Sequence, residues 1–303
     1  MKISCVPSPA ALLAGLPPSC PRGGRGWCAA AASVLEARAA KPGNVHPGAS
    51  FPDLTHADLV AAGLAIGPLL ERADTTPLGR TVRDAVQAAR AVTRSNANLG
   101  IVLAIAPLAA GAPDGPGDRT IATLVAGAAA ALSRLSPADA VDVWEAINLA
   151  RPGGLGTRSR LDVAGPPPED LLEAMRLAAP HDSVARLWAE GYQRLADGLV
   201  ADLAAGLDAG LPLEEAIVRA FLLQLAREPD SLIARRHGLD TAADVSRRAA
   251  NAAARPDAIP AFDTFLRSPR RLNPGTTADL TAAALYMLLW TGRISVGPAG
   301  GGV

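Results

Sequence analysis

An all-α fold, built as a single compact multi-helix domain of about a dozen helices, is what this sequence predicts. Three observations predict it. Apolar residues fill 49% of the 303 positions but aromatics only 3%, so the core must come from alanine, leucine, valine and isoleucine. Surplus alanine and leucine favour helices over strands. No segment alternates apolar and polar residues at period two, and apolar positions instead recur at helical spacing. Prolines, glycines or capping residues punctuate these runs, and no shift in composition marks a domain boundary.

The elements follow in order. Residues 1–26 are rich in proline and glycine without periodicity and read as a flexible leader; the helical domain spans 27–292, and 293–303 read as a flexible tail. Trp27–Ala40 is the first helix, with Glu36 near its end. Past the loop at 41–50, Thr55 with Asp58 three residues on resembles a capping box, opening a helix that carries Leu59, Ala62, Ile66 and Leu69 at helical spacing. Leu78–Arg94 turns Val82, Val86, Ala89 and Val92 inward and Arg80, Arg83, Asp84 and Arg90 outward. The turn Ser95-Asn96-Ala97-Asn98-Leu99-Gly100 then leads into Ile101–Ala110, which is apolar all round and so belongs at the centre of the domain. Asp118–Leu132 and Pro137–Leu149, the second capped by Ser136, precede one long irregular stretch from Arg151 to Pro168 that contains Asp162. Further helices are read at Glu169–Ala179, Ser183–Ala209, Leu213–Arg227, Pro229–His237, Thr241–Ala254, Pro256–Leu266 and Thr277–Trp290, the last ended by Gly292.

Composition excludes several functions. Formal net charge is zero, which removes any case for nucleic acid or an anionic membrane surface as partner. Cys5, Cys20 and Cys28 are odd in number and fit no zinc spacing, so a reducing, cytoplasmic setting is expected. The longest apolar runs, Ile101–Ala112 and Ile121–Leu132, are too short to span a bilayer, and a soluble protein is the reading.

The chemistry concentrates in three stretches. The first is Lys41-Pro42-Gly43-Asn44-Val45-His46-Pro47-Gly48, a stiff loop presenting an ammonium, an amide and an imidazole. Of 29 basic residues only Lys2 and Lys41 are lysine, so the choice of a compact point charge at Lys41 stands out. Two readings are open: a phosphate anchor, or a helix C-terminus whose lysine faces the negative end of the dipole. If the first holds, Lys41→Ala weakens nucleotide binding and spares the fold. Asparagine is also scarce, and Asn44, Asn96, Asn98 and Asn273 all lie in turns, where turn chemistry alone favours them.

The second stretch is Arg271-Leu272-Asn273-Pro274-Gly275-Thr276-Thr277-Ala278-Asp279-Leu280. Asp279 there either complements a helix dipole or holds Mg²⁺ against phosphates bound by Thr276, Thr277 and the free backbone N–H groups. The third runs from Glu228 to Gly238; Asp230 begins its helix, and Arg235 and Arg236 either reach phosphates or face water. Asp182 reads as an N-cap, and Asp53 reads most simply as one too. Acids at helix starts, a lone lysine loop and no aromatic platform together fit a Mg²⁺–polyphosphate nucleotide pocket within a helical bundle, with Asp53, Asp230 and Asp279 as the metal ligands.

Together these stretches resemble the triphosphoribosyl-dephospho-CoA synthase family. Its glutamate, Lys-Pro-Gly-x-Val-Asp loop and Asp-Met pair look like Glu36, Lys41-Pro42-Gly43-Asn44-Val45-His46 and Asp53-Leu54. Its Gly-Val-Asn-Thr-His-Lys-Gly motif is loosely similar to Ser95-Asn96-Ala97-Asn98-Leu99-Gly100, and its Asp-Thr-x-x-x-x-Arg segment resembles Asp230-Ser231 through Arg235 or Arg236. Its Asn-x-Ser-Pro-Gly-Gly-Ser-Ala-Asp-Leu-Leu-Ala motif is similar to Asn273 through Ala282.

The resemblance implies an all-α transferase that moves a triphosphoribosyl group from ATP, with loss of adenine, to the ribose 2′-hydroxyl of dephospho-CoA. It further implies Mg²⁺ as cofactor and Glu36 and Asp53 as catalytic carboxylates. Lys41, Asn44, Asn96, Asn98, Arg235, Arg236, Asn273, Thr276 and Thr277 would contact the nucleotide and its phosphates. Expected partners are ATP or a related nucleotide and dephospho-CoA or a related acceptor, with a homodimer as the assembly considered.

Two departures stand out: the Asn96–Leu99 turn lacks the family's histidine and lysine, and His46 replaces its aspartate. The chain thereby resembles a divergent branch from methanogens and methylotrophs, which implies one-carbon metabolism. The missing cation weakens phosphate binding unless Arg94 or the Arg235-Arg236 pair compensates, so a donor carrying fewer charges than ATP, and weak or absent turnover of ATP with dephospho-CoA, are expected. The other readings are a helical ADP-ribosyl-type glycohydrolase and a nucleotide-binding protein without turnover.

Overall fold

The computed structural model describes residues 6–93, 98–150 and 165–297, and no strand occurs among them. The all-α expectation holds. A short helix α1 (Pro9–Leu13), opened by Ser8 and a proline at its first position, leads to α2 (Arg25–Arg38). The reading of residues 1–26 as a loose leader is corrected from Pro9 onward. Leu13 and Cys20 are buried in the main core, and α2 begins two residues ahead of Trp27. Proline-rich turns simply carry no helical period for the sequence to show.

Helix α3 (His56–Leu70) starts at the expected box: Asp58 N–H donates to Thr55 Oγ1 at 3.2 Å, and Thr55 N–H to Asp58 Oδ2 at 2.9 Å. It lies tight on α2, because a Cβ on Gly26 would stand 2.0 Å from the carbonyl oxygen of Gly67. Helix α4 (Leu78–Val92) and α5 (Leu99–Gly111) follow, then α6 (Ile121–Leu132) and α7 (Pro137–Ala150). Every residue of α5 from Ile101 to Ala109 is buried, as its uniform apolarity requires. Pro107 cannot donate to the carbonyl of Leu103; the indole of Trp188 does so instead, at 2.8 Å.

Trp188 lies on α9 (Ser183–Glu190), which follows α8 (Leu171–Ala178). The single helix read at 183–209 is broken: Gly191, at φ +81°, ends α9, and the chain restarts as α10 (Gln193–Leu195), a π turn at Ala196–Val200 and α11 (Ala201–Asp208). Tyr192 in the break is fully buried, and its hydroxyl donates to Ala104 O at 2.8 Å. A buried aromatic tied to α5 fixes this break where helical periodicity alone runs through it.

Helices α12 (Leu213–Arg227), α13 (Ser231–His237), α14 (Leu239–Ala254) and α15 (Ile259–Arg267) surround a smaller core of Phe221, Leu225, Ile233, Val245, Phe262 and Leu266. Finally α16 (Gly275–Trp290) runs through the molecule beside α2 and α5, buried almost throughout. Past it the chain stays packed as far as Ile294, 6% exposed, whose N–H donates to Leu288 O at 3.1 Å. The tail read at 293–303 is therefore ordered against α16 at its start; residues 298–303 lie outside the described ones.

Candidate functional site

The C-terminal end of α2 and the N-terminal ends of α5, α13 and α16 meet at one end of the bundle. Helix α2 ends at Arg38 with Ala39 already extended, short of Pro42, and Lys41 folds back along its last turn. Its ammonium sits 2.9 Å from Glu36 Oε1, bonds the carbonyl oxygen of Glu36, and reaches Ala39 O at 3.3 Å. A lysine has three donors, and all three are taken. Lys41 is fully buried and Glu36 nearly so. Of the two sequence readings, the helix-terminus one describes this geometry, and the phosphate-anchor reading is corrected.

The loop beyond Lys41 is pinned to the start of α16. Gly43, at φ +76°, donates its N–H to Asp263 Oδ1 at 2.8 Å. A Cβ there would lie 2.9 Å from both Leu266 and Pro274, so only glycine fits. Asn44 Nδ2 donates to Asn273 Oδ1 at 2.6 Å and Arg267 to Asn44 O at 2.6 Å. These two asparagines are braces, leaving Asn44 Oδ1 as a buried acceptor without a partner. His46 pairs its backbone with Ala49 in a tight turn, and burial, then Arg267, lower its proton affinity below the ordinary histidine range.

Asp230 is a junction. Its Oδ1 caps α13 through the N–H groups of Leu232 and Ile233 at 2.9 and 3.0 Å. Its Oδ2 accepts the N–H and hydroxyl of Thr277 at 2.7 and 2.8 Å, capping α16 as well. Four donors on one buried carboxylate leave no lone pair for a metal, so the metal assignment of Asp230 is corrected. The same bonds occupy Thr277, while Ser231 bonds Thr276 hydroxyl to hydroxyl at 3.0 Å, so both threonines hold α13 to α16 rather than phosphate.

Asp53 is also reassigned. Its side chain is 67% exposed and paired at 2.6 Å with Arg271, whose hydrogen bond holds the carboxyl below the usual carboxylate range. It joins neither the other proposed metal ligands nor Glu36. No group of three or more histidine, cysteine or carboxylate side chains stands in metal-holding range among the described residues.

What does converge is Glu36 and Asp279. Asp279 is half-buried, and among the described residues no hydrogen bond reaches its carboxyl. Surrounding protein, then the charges of Glu36, Asp230 and Asp182, push its proton affinity well above the usual range, with Arg235 opposing. The carboxyl rests against the Cα of Gly100, on the first turn of α5. Two residues earlier, Asn98 stands at φ +79°, 6% exposed, with neither end of its amide bonded among the described residues. Asn96, Arg94 and Asp162 lie outside the described residues. Arg235 bonds Asp182, itself the N-cap of α9 as read, while its charge acts on Asp230 and Asp279. Arg236 is exposed. Sequence reasoning missed Gly100 and the Asp182–Arg235 pair. A glycine in the first turn of an otherwise bulky apolar helix was the one available signal.

The sequence profile of the CitG family, ATP:dephospho-CoA triphosphoribosyl transferase, matches residues 24–295, nearly the whole of this helical body. The chain belongs to this family. Its members use ATP and dephospho-CoA, and the chain is a transferase of the triphosphoribosyl-dephospho-CoA synthase type. A crystal structure from Archaeoglobus fulgidus, described as a candidate triphosphoribosyl-dephospho-CoA synthase, superposes with a TM-score of 0.61 at 22% identity. It covers 77% of this chain and 99% of that one, a likeness of fold. No curated protein matches in sequence. No single helix is long and apolar enough to cross a membrane.

Proposed function

We propose that Glu36, Asp279 and Asn98 form the reaction centre of a transferase that takes Mg²⁺–ATP as donor and dephospho-CoA, or a related one-carbon-cofactor precursor, as acceptor. One observation carries this: two carboxylates at a buried helix junction repel each other, and one of them has no hydrogen-bond donor among the described residues. Such an arrangement is costly in an apoprotein unless a cation completes it.

Mg²⁺ fits there, because it is commonly held by one or two carboxylates together with substrate phosphates. Asp279 would hold it, with Glu36 as the neighbouring carboxylate, while Asp53 and Asp230 take no part. When bound, the ion would neutralise the donor's phosphate charge. Lys41 fixes one oxygen of Glu36, leaving the other to accept the proton of the incoming hydroxyl. The C1′–N9 bond of the donor breaks as the acceptor's ribose oxygen bonds to C1′, and adenine departs with the bonding pair and takes up the proton that Glu36 received. The negative charge of Glu36, before it takes that proton, stabilises the oxocarbenium-like sugar. Asn98, with a free amide at the start of α5, orients the ribose or a phosphate oxygen. A cytoplasmic setting and a homodimer complete the reading.

Family membership favours transfer to an acceptor over hydrolysis or silent binding. Incubating the protein with Mg²⁺–ATP and following free adenine separates these outcomes. Release that requires dephospho-CoA or another acceptor supports transfer; release in water alone supports a glycohydrolase; no release with any acceptor supports a binding protein.

A further inference from the structure

Beside this site the surface carries positive charge that no carboxylate pairs among the described residues. Most arginines on these helices are paired: Arg227 with Asp202, Arg235 with Asp182, Arg247 and Arg248 with Asp244, Arg255 with Asp257, Arg267 with Asp263. Arg236 at the end of α13 and Arg270 before α16 are exposed, and neither makes an ion pair or hydrogen bond among the described residues. His237 lies between them and feels both charges.

Arg271 adds a third guanidinium. It stands at φ +51°, stacks 4.0 Å over the ring of Phe51, and is bonded by Asp53. Its Nε is buried without a partner. Asp53 also feels Arg236, so two guanidiniums bear on one carboxylate, while Arg270, next in the chain to Arg271, has no ion pair among the described residues. Like charges gathered without counter-ions work against folding, and this chain is neutral overall, so the cluster is not the overflow of a basic protein. Clustered guanidiniums match phosphate oxygens in both geometry and charge.

The patch joins the reaction centre through α13. Asp230 at the start of that helix caps α16, and Leu232 packs where a Cβ of Gly275 would lie, at 2.7 Å. Arg236 is on the last turn of the same short helix.

We infer that Arg236 and Arg270, with Arg271 held ready by Phe51 and Asp53, bind a diphosphate group, and that in turnover this is the diphosphate of the acceptor. The inference rests on the transferase reading above. There the donor's phosphates would have their counter-charge inside, from the Mg²⁺ that Asp279 would hold. Dephospho-CoA carries its diphosphate on the 5′ carbon of the ribose whose 2′-hydroxyl reacts. With the diphosphate at the rim, that hydroxyl points inward to Glu36.

The test is a double charge reversal, Arg236→Glu with Arg270→Glu, beside the conservative Arg236→Lys with Arg270→Lys. Both positions are exposed and unpaired among the described residues, so circular dichroism and melting should match the wild type. In the adenine-release assay the reversal should raise KM for dephospho-CoA at least tenfold and shift KM for ATP less than twofold. The lysine pair should recover most of the loss. An unchanged acceptor KM, or a rise confined to ATP, overturns the inference while the transferase reading stands. Should the wild type release no adenine, calorimetric binding of dephospho-CoA to the same variants decides. A tenfold loss on reversal supports the patch; equal affinity, or none in the wild type, overturns it.

Discussion

The Cα of Gly100 faces the Asp279 carboxylate so closely that a Cβ there would lie 2.0 Å from Oδ2 and 2.4 Å from Cγ. A glycine on the first turn of α5 therefore sets where the key carboxylate of α16 can point. Two helices far apart in sequence meet through the absence of a side chain.

Gly100→Ala tests that relationship. Alanine is better than glycine in a helix by about 0.5–1 kcal/mol, which offsets part of the strain. The variant should melt within a few degrees of the wild type, yet lose at least tenfold in adenine release as Asp279 is turned aside. Paired melts and rate measurements check this, and wild-type activity would sever the link between the two residues.

Lys41→Ala should not spare the fold, contrary to the anchor reading. Removing the ammonium strands Glu36 as a buried, uncompensated charge and frees the carbonyls of Glu36 and Ala39 at the end of α2. Losing one partner of such a pair costs about 3–5 kcal/mol. Urea denaturation measures it. Adding Glu36→Gln to Lys41→Ala should recover part of the stability, and a single-variant loss under about 1 kcal/mol would mean that the pair does not form in solution.

Lys41, Asn44 and Asp279 show how far the sequence could be read. Periodicity and proline placement located the helices and brought Lys41-Pro42-Gly43-Asn44 and Asn273 through Asp279 into the argument, and these stretches do meet, through Asn44 and Asn273. The roles were harder, because polar residues at helix ends serve caps and ligands alike. Thr277 and Asp230 satisfy each other across a junction that local pattern does not show. Asp53 drew notice for its place beside the lysine loop, but a side chain 67% exposed and ion-paired with an arginine belongs to the surface. Tyr192 broke a helix that periodicity ran straight through, since its bond to Ala104 is purely tertiary.

Asp230→Asn separates a structural acid from a metal ligand. The amide keeps one acceptor oxygen and turns a donor toward others, so at least one buried donor loses its partner, at about 1–3 kcal/mol each. A lowered denaturation midpoint with unchanged Mg²⁺ dependence of the residual activity is the expected result. A raised Mg²⁺ requirement at unaltered stability would restore the metal role.

Metal-free protein should show Asp279 in its pH dependence. Burial and neighbouring carboxylates raise its proton affinity on folding, so the folded state binds the proton more tightly than the unfolded one. Stability from this group is full below the unfolded carboxyl range and is lost as pH rises through the higher folded value. In EDTA at neutral pH, Asp279→Asn should therefore melt above the wild type, and the gap should close on acidification. Melting curves across pH check this; a variant less stable than the wild type at neutral pH would show that Asp279 is already neutralised within the protein.

The most direct measurement is the rate of free adenine formation from Mg²⁺–ATP and dephospho-CoA by the wild type and Asp279→Asn, side by side. Acceptor-dependent release by the wild type and at least a hundredfold loss in a variant that remains folded are expected. Equal rates in the two proteins would remove Asp279 from the reaction centre.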